Sequence, residues 1–142
     1  MKGDQNGLIS LFFVDKMGIS TENQQFVKEC CIQLEHYFTK NLTQFDLQLN
    51  LRGTIFQKEV WNQLLNIPYG KTISYSTLAL QLGDVNKTRA VGLANGKNPI
   101  SIIVPCHRVI GANGNLTGYA GGLEKKKWLL EHEGAIKQMR LF

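Results

Sequence analysis

The first fifty residues hold an apolar run, "GLISLFFVD" (residues 7–15), that predicts a strand, and then a mixed stretch over roughly 21–40 that predicts a helix, with Ser20 or Thr21 as its cap. A few more extended residues follow at "FDLQLNL". This is too little chain to bury a core of its own, so the segment is expected to pack on the rest. From Arg52 onward the periodicity sharpens. Thr54 and Gln57 have capping-box spacing, and Phe56, Val60, Trp61, Leu64 and Leu65 recur at helical intervals until "IPYGK" ends the helix.

A shorter helix is expected near Ser76–Leu82, a break at Gly83, and a second helix from Asn86 or Lys87 to about Asn95. Two short helices joined by a tight glycine turn suggest a helix-turn-helix. The second, "KTRAVGLANG", sets Arg89 among Ala90, Gly92 and Ala94, residues small enough for close approach to another surface or, equally, for tight packing of helix on helix. "ISIIVP" reads as a buried strand by its β-branched content. Residues 107–122 contain five glycines and read as a loop, and a last helix over 123–133 turns Leu123, Trp128, Leu129 and Leu130 to the core and stops at Gly134. The fold class is therefore α+β. A small N-terminal strand and helix segment (1–50) precedes a mainly helical domain (51–142) with a helix-turn-helix and a cysteine-bearing loop.

Composition narrows the function. The chain has 142 residues and a net charge of +5, unevenly spread: residues 1–70 carry six Lys/Arg against seven Asp/Glu, and residues 71–142 carry ten against four. The second half is where a polyanion would dock. Three cysteines, two of them adjacent (Cys30, Cys31), give neither a disulfide framework nor a zinc pattern, which points to free thiols in a reducing compartment. No apolar run approaches the ~18 residues of a membrane span, and "LISLFF" is too short for a signal peptide, so the expected location is the cytoplasm. Neither a metal nor a cofactor is expected.

The third cysteine is the chemical signal. In "PCHRV" a proline fixes the chain ahead of Cys106, and His107 and Arg108 put a base and a cation beside the thiol. An ordinary thiol, with a pKa of about 8.5, is only a few per cent ionised at neutral pH, so a nucleophilic cysteine needs such partners. Neighbours on an extended chain point to opposite faces, so His107 needs a turn or a bridging water to reach the sulfur.

"NPISIIVPCHRVIG" followed by "GNLTGYAGGLEKKKWLLEHEG", with "LRGTIFQKEVWNQLLNIPYGKTISY" and "RAVGLANGKNP" upstream, closely resembles the O6-alkylguanine-DNA alkyltransferases, also called methylated-DNA–protein-cysteine methyltransferases, over about residues 50–135. The resemblance implies a protein that binds double-stranded DNA, flips an alkylated guanine out of the stack and moves its alkyl group irreversibly to Cys106. O4-alkylthymine is a further expected target. It implies that Glu133 polarises His107, which deprotonates Cys106 through a water, and that Asn98 braces the turn before the nucleophile. Tyr75 would press on the target phosphate and offer its hydroxyl to the purine, beside backbone N–H donors at Tyr119 and Ala120. Carbonyls at Cys106 and Val109 would accept from the exocyclic amine. Arg89 would fill the vacated stack, and Thr88, Ala90, Gly92, Lys87 and Arg108 would contact DNA, with Lys97 and the triplet Lys125–Lys127 near phosphates. Asn95 and Gly96 would border the base pocket. His36 and His132 are read as structural, and the protein as a monomer.

Against the family pattern the N-terminal segment is short, so its sheet, RNase H-like in relatives, is expected to be truncated, and Ala120 stands where relatives often have serine. Competing readings are an alkyltransferase-like protein that binds lesions without transfer, whose members replace the cysteine; a regulator built on the helix-turn-helix; and a cysteine hydrolase.

Overall fold

The computed structural model describes residues 1–15 and 25–137. The N-terminal apolar run forms β2 (Gly7–Ser10), paired antiparallel with β1 (Lys2–Asp4). On β2 Leu8 also bridges Leu49, and beyond Ser10 the run continues in the described residues as one isolated bridge, Leu11 to Ile100. Gly7 is required where it stands. Its φ is +135°, and a Cβ there would lie 2.5 Å from the Gln48 carbonyl oxygen. Helix α1 (Gln25–Phe38) buries Val27, Cys30 and Tyr37; the expected cap at Ser20 or Thr21 lies outside the described residues.

Thr54 and Gln57 form a reciprocal capping box that starts α2 (Ile55–Leu64): each side chain bonds the other's backbone N–H, at 3.1 and 3.0 Å. Two occupied orphan donors explain why the helix begins there. Its apolar face buries Val60, Trp61 and Leu64. A two-residue strand β3 (Ile73–Ser74) leads into α3 (Tyr75–Gln81), Gly83 turns the chain at φ +103°, and a 3₁₀ turn at Val85–Lys87 opens α4 (Thr88–Gly96). Trp61 donates from Nε1 to the Ala94 carbonyl (2.9 Å), which locks α2 against α4.

"ISIIVP" is buried but is not a strand. After the bridge at Ile100 the chain coils, with Ile103 N–H on Ser101 O and Cys106 N–H on Val104 O, both 2.8 Å. Asn98 drives the coiling by bonding the Val104 carbonyl (2.7 Å) and the Ile100 N–H (3.0 Å) from one side chain. β-Branched content signalled burial correctly and conformation wrongly. Ile102 even sits at φ +72°, a left-handed conformation that a β-branched residue adopts only under outside constraint. A 3₁₀ turn at Cys106–Arg108 then runs into β4 (Val109–Ile110), which pairs in parallel with β3.

The last helix, α5 (Leu123–His132), also corrects the expected core face. Leu129 and Leu130 are buried, but Leu123 and Trp128 are about half exposed, and the buried partner one turn earlier is Lys126. One apolar core unites the chain: Leu8, Leu11 and Cys30 from the first fifty residues pack with Trp61, Leu78, Val91, Val104 and Val109. Burying each such side chain contributes about 1.5–3 kcal/mol, so the N-terminal segment is fastened by the same term that holds the helices.

Candidate active site

Cys106 begins the 3₁₀ turn that the extended reading lacked, and that turn swings His107 and Arg108 into the protein. All three are buried, His107 completely. His107 Nε2 lies 2.8 Å from Glu133 Oε1. Burial pushes the Glu133 carboxyl up, but hydrogen bonds and charge from His107 and Arg108 outweigh it and bring the pKa to about 2. An ionised carboxylate only accepts, so Nε2 must carry the proton. Burial also pushes the His107 pKa down, against the pull of Glu133, and keeps the imidazole neutral. Nδ1 is then a bare lone pair, and it is a buried atom with no hydrogen-bond partner among the described residues. This is the configuration of a general base awaiting a proton.

The thiol is also set by its surroundings. Burial raises the Cys106 pKa, partly countered by a hydrogen bond from Asn98 and by the charge of Lys126. At rest the sulfur is therefore a thiol, and a thiolate has to be formed on demand. A space of only about 10 Å³ adjoins it, lined by Asn95, Asn98, Ser101, Gly118 and Tyr119 among others. Asn95, Gly96, Gly118, Tyr119 and Ala120 also line an open cleft of about 500 Å³, together with Tyr75, Thr88, Gly92 and Thr117. That volume lies in the range of small-molecule sites.

Arg108 does not face outward for DNA. Its Nε and Nη2 fork onto Glu133 at 2.9 Å each, and Nη1 donates to the Ile67 carbonyl at 2.6 Å. The assignment of Arg108 to a DNA contact is corrected: its charge is spent holding the carboxylate that holds His107. Lys126 requires the same correction. Its ammonium is buried and donates to the carbonyls of Val109 (2.7 Å) and Thr117 (2.8 Å), with the Tyr75 hydroxyl 3.5 Å away. Burial lowers its pKa to about 8. The other two members of the triplet are exposed, Lys125 over the Phe13 ring and Lys127 loosely paired with Glu131.

Tyr75, at the start of α3, is half-buried at the cleft and donates its hydroxyl to the Thr117 carbonyl (3.1 Å). Arg89, Ala90, Lys87 and Lys97 are exposed on or beside α4, and Thr88 lines the cleft. Ala94 is buried in the core, but Gly92 and Gly96 are not there for internal packing: among the described residues a Cβ on Gly92 would meet only Tyr75 at an ordinary 3.8 Å, and one on Gly96 nothing within 4 Å. Asn95 Nδ2 reaches the Cys106 carbonyl at 3.4 Å, and Val109 offers its carbonyl to Lys126. His36 is exposed, whereas His132 stacks on Trp128 and bonds the Tyr37 carbonyl.

Two members of the site escaped sequence reasoning. Lys126 was hidden in a lysine triplet, yet it stands three, four and seven residues before Leu129, Leu130 and Glu133, a shared helical face that signals burial. Tyr37, whose hydroxyl donates to Glu133 Oε1 at 2.7 Å, lies 96 residues away and has no local signal.

Residues 55–135 match the family model described as 6-O-methylguanine DNA methyltransferase, DNA binding domain. The chain is 51% identical over 141 residues to a methylated-DNA–protein-cysteine methyltransferase of Methanosarcina acetivorans, covering 95% of this chain and 90% of that one. A protein of the same name from Mycobacterium bovis is 62% identical over 101 residues, 71% of this chain and 61% of that one. Among solved structures, the Mycobacterium tuberculosis OGT in complex with DNA superimposes with a TM-score of 0.82 at 46% identity, covering 94% of this chain and 84% of that one.

Proposed function

The chain belongs to the 6-O-methylguanine DNA methyltransferase family, and on that premise we propose that it repairs double-stranded DNA by moving the alkyl group of O6-alkylguanine irreversibly to Cys106. The observation that carries this reading is the neutral, buried His107, next to Cys106 in the sequence, clamped through Nε2 by an ionised Glu133 and left with an Nδ1 that has no partner among the described residues. In the transfer the thiol proton goes to Nδ1 by way of a water, Sγ attacks the alkyl carbon, the S–C bond forms as the C–O6 bond breaks, and the electron pair leaves on the purine. One alkyl group ends on one sulfur, so each molecule acts once.

The leaving purine needs a proton or a donor. The Tyr75 hydroxyl supplies one at the cleft by turning its proton away from Thr117 O, which keeps the Lys126 ammonium as donor, and that ammonium also holds Val109 O in place. Backbone N–H groups at Tyr119 and Ala120 border the same space. A carbonyl has two lone pairs, so Val109 O, which accepts from Lys126, can take a second donor, the exocyclic amine of guanine, whereas Cys106 O, which accepts from the Val109 N–H and from Asn95 at 3.4 Å, takes it in place of the long Asn95 bond. O4-alkylthymine, which lacks that amine, is the lesser substrate. Because Cys106 is buried, the base must leave the duplex to reach it, at a cost of a few kcal/mol. Arg89, exposed on α4, fills the gap, while Ala90 and Gly92 allow the helix to lie close in the minor groove, where sequence is poorly displayed. Lys87 and Lys97 add salt-sensitive phosphate contacts. The protein acts as a monomer in the cytoplasm, a setting that suits three unpaired cysteines.

Intact-mass measurement after incubation with a duplex containing O6-methylguanine should show one added methyl per chain, on Cys106, and Cys106→Ala should bind the duplex without gaining it. Folded protein of unchanged mass would defeat the proposal and favour lesion binding without transfer.

A further inference from the structure

The C-terminal end of α1 is fastened to the C-terminal end of α5 at two points. The Tyr37 hydroxyl donates to Glu133 Oε1 (2.7 Å), and the Tyr37 carbonyl accepts from His132 Nε2 (2.8 Å). Tyr37 is wholly buried, its ring set among Phe38, Phe45, Tyr69 and His132 at centroid distances of 5.0–6.0 Å. Ring packing alone would be served by phenylalanine. The hydroxyl instead reaches the oxygen that also receives His107 Nε2 (2.8 Å) and Arg108 Nη2 (2.9 Å), so three donors converge on Oε1 while Oε2 takes Arg108 Nε.

We propose that Tyr37, a residue of the N-terminal segment, is a positioning residue for the nucleophile: its hydroxyl fixes Glu133 and sets how strongly that carboxylate polarises His107. The inference rests on the alkyl-transfer reading of the site. Facing His107 are Glu133, Arg108 and Lys126; facing Glu133 are, besides His107, Tyr37 and Arg108, with Tyr69 and Tyr119 close enough to feel its charge. Arg108 and Lys126 disfavour an imidazolium, and Glu133 alone favours it. Removing the Tyr37 donor leaves more carboxylate charge to the Nε2 proton, so His107 takes up a second proton at higher pH. The acid limb of the rate profile, where the base is lost to protonation, therefore moves upward, by roughly half a pH unit or more. Glu133 also loses a restraint, and the plateau rate falls roughly tenfold, the scale of one hydrogen bond to a charged group.

The test is the single-turnover transfer rate against pH for the wild type, Tyr37→Phe and Phe45→Leu. Tyr37→Phe keeps the ring and removes the hydroxyl; Phe45→Leu loosens the same aromatic cluster and spares the hydroxyl. The expected result is a slower plateau and a raised acid limb in Tyr37→Phe, with unchanged affinity for the duplex, and an unmoved limb in Phe45→Leu. A Tyr37→Phe profile that superimposes on the wild type, or an equal displacement in Phe45→Leu, overturns the proposal. If the wild type transfers nothing, the alkyl-transfer reading fails by itself. Tyr37 is then judged by proton NMR, as it also is if Tyr37→Phe does not fold. A slowly exchanging Tyr37 hydroxyl proton that cross-relaxes with the His107 ring N–H supports the positioning role, and its absence overturns it.

Discussion

Replacing Glu133 by glutamine tests the buried charge cluster through stability as well as chemistry. The carboxylate side chain is fully buried and receives four hydrogen bonds, from Tyr37, His107 and, twice, Arg108. Glutamine preserves the shape but turns an NH₂ toward one of those donors and leaves the Arg108 guanidinium buried without its counter-charge. Breaking one partner of a buried pair costs about 3–5 kcal/mol. The titration of Glu133 gives a figure of the same size. Its pKa falls from 4.5 in the ordinary state to about 2 in the folded one, and at about 1.4 kcal/mol per unit this contributes about 3 kcal/mol. Because the folded value is the lower one, that contribution is present above pH 4.5 and is lost as pH falls through about 2. Urea denaturation of the wild type and Glu133→Gln across pH 2–7 should therefore show a gap of about 3 kcal/mol at neutral pH that closes progressively below pH 4.5. A gap that stays constant over the whole range, or one below about 1 kcal/mol at pH 7, would refute the account of Glu133 as an ionised, doubly clamped residue. Alkyl transfer by the variant should be slow at every pH, because His107 loses the acceptor that fixes its tautomer.

Two further substitutions separate chemistry from stability. Lys126→Met removes a buried ammonium whose burial disfavours its charge, so its melting temperature should match or exceed that of the wild type although the Val109 and Thr117 carbonyls lose their donor; transfer should nonetheless slow by about tenfold or more, and the wild-type rate should itself decline as pH rises through about 8, where the ammonium is lost. A stable, fully active Lys126→Met would remove this residue from the mechanism. Asn98→Ala deletes both side-chain bonds that coil residues 100–104; calorimetry should show a loss of about 2–3 kcal/mol, with a matching loss of transfer as Cys106 moves.

How much the sequence disclosed depended on how local the cause was. The Thr54–Gln57 box acts within three residues, and α2 begins where the box predicts. Gly83 breaks the helical pair for a reason equally local, its positive φ. Residues 100–105 were misread because their conformation is imposed by the Asn98 side chain and by Leu11, neither of which speaks through β-branched content. Arg108 adjoins Cys106 in sequence, but its direction is decided by a carboxylate 25 residues further on. The resemblance supplied Asn98 and Glu133 by position. Geometry was needed to show that Lys126 is interior and that α1 reaches the site through Tyr37.

Ile102 holds a backbone shape it would not choose, in the coil that Asn98 ties, and it is buried in one cluster with Tyr37 and Leu129, residues far apart in the sequence. During synthesis Cys106 leaves the ribosome well before Lys126, Leu129 and Glu133, when nothing yet packs Leu129 against Ile102 or fixes the tautomer of His107. The growing polypeptide thus carries a thiol beside an undirected imidazole, and the weapon is armed only once the last helix docks and brings Glu133 to His107.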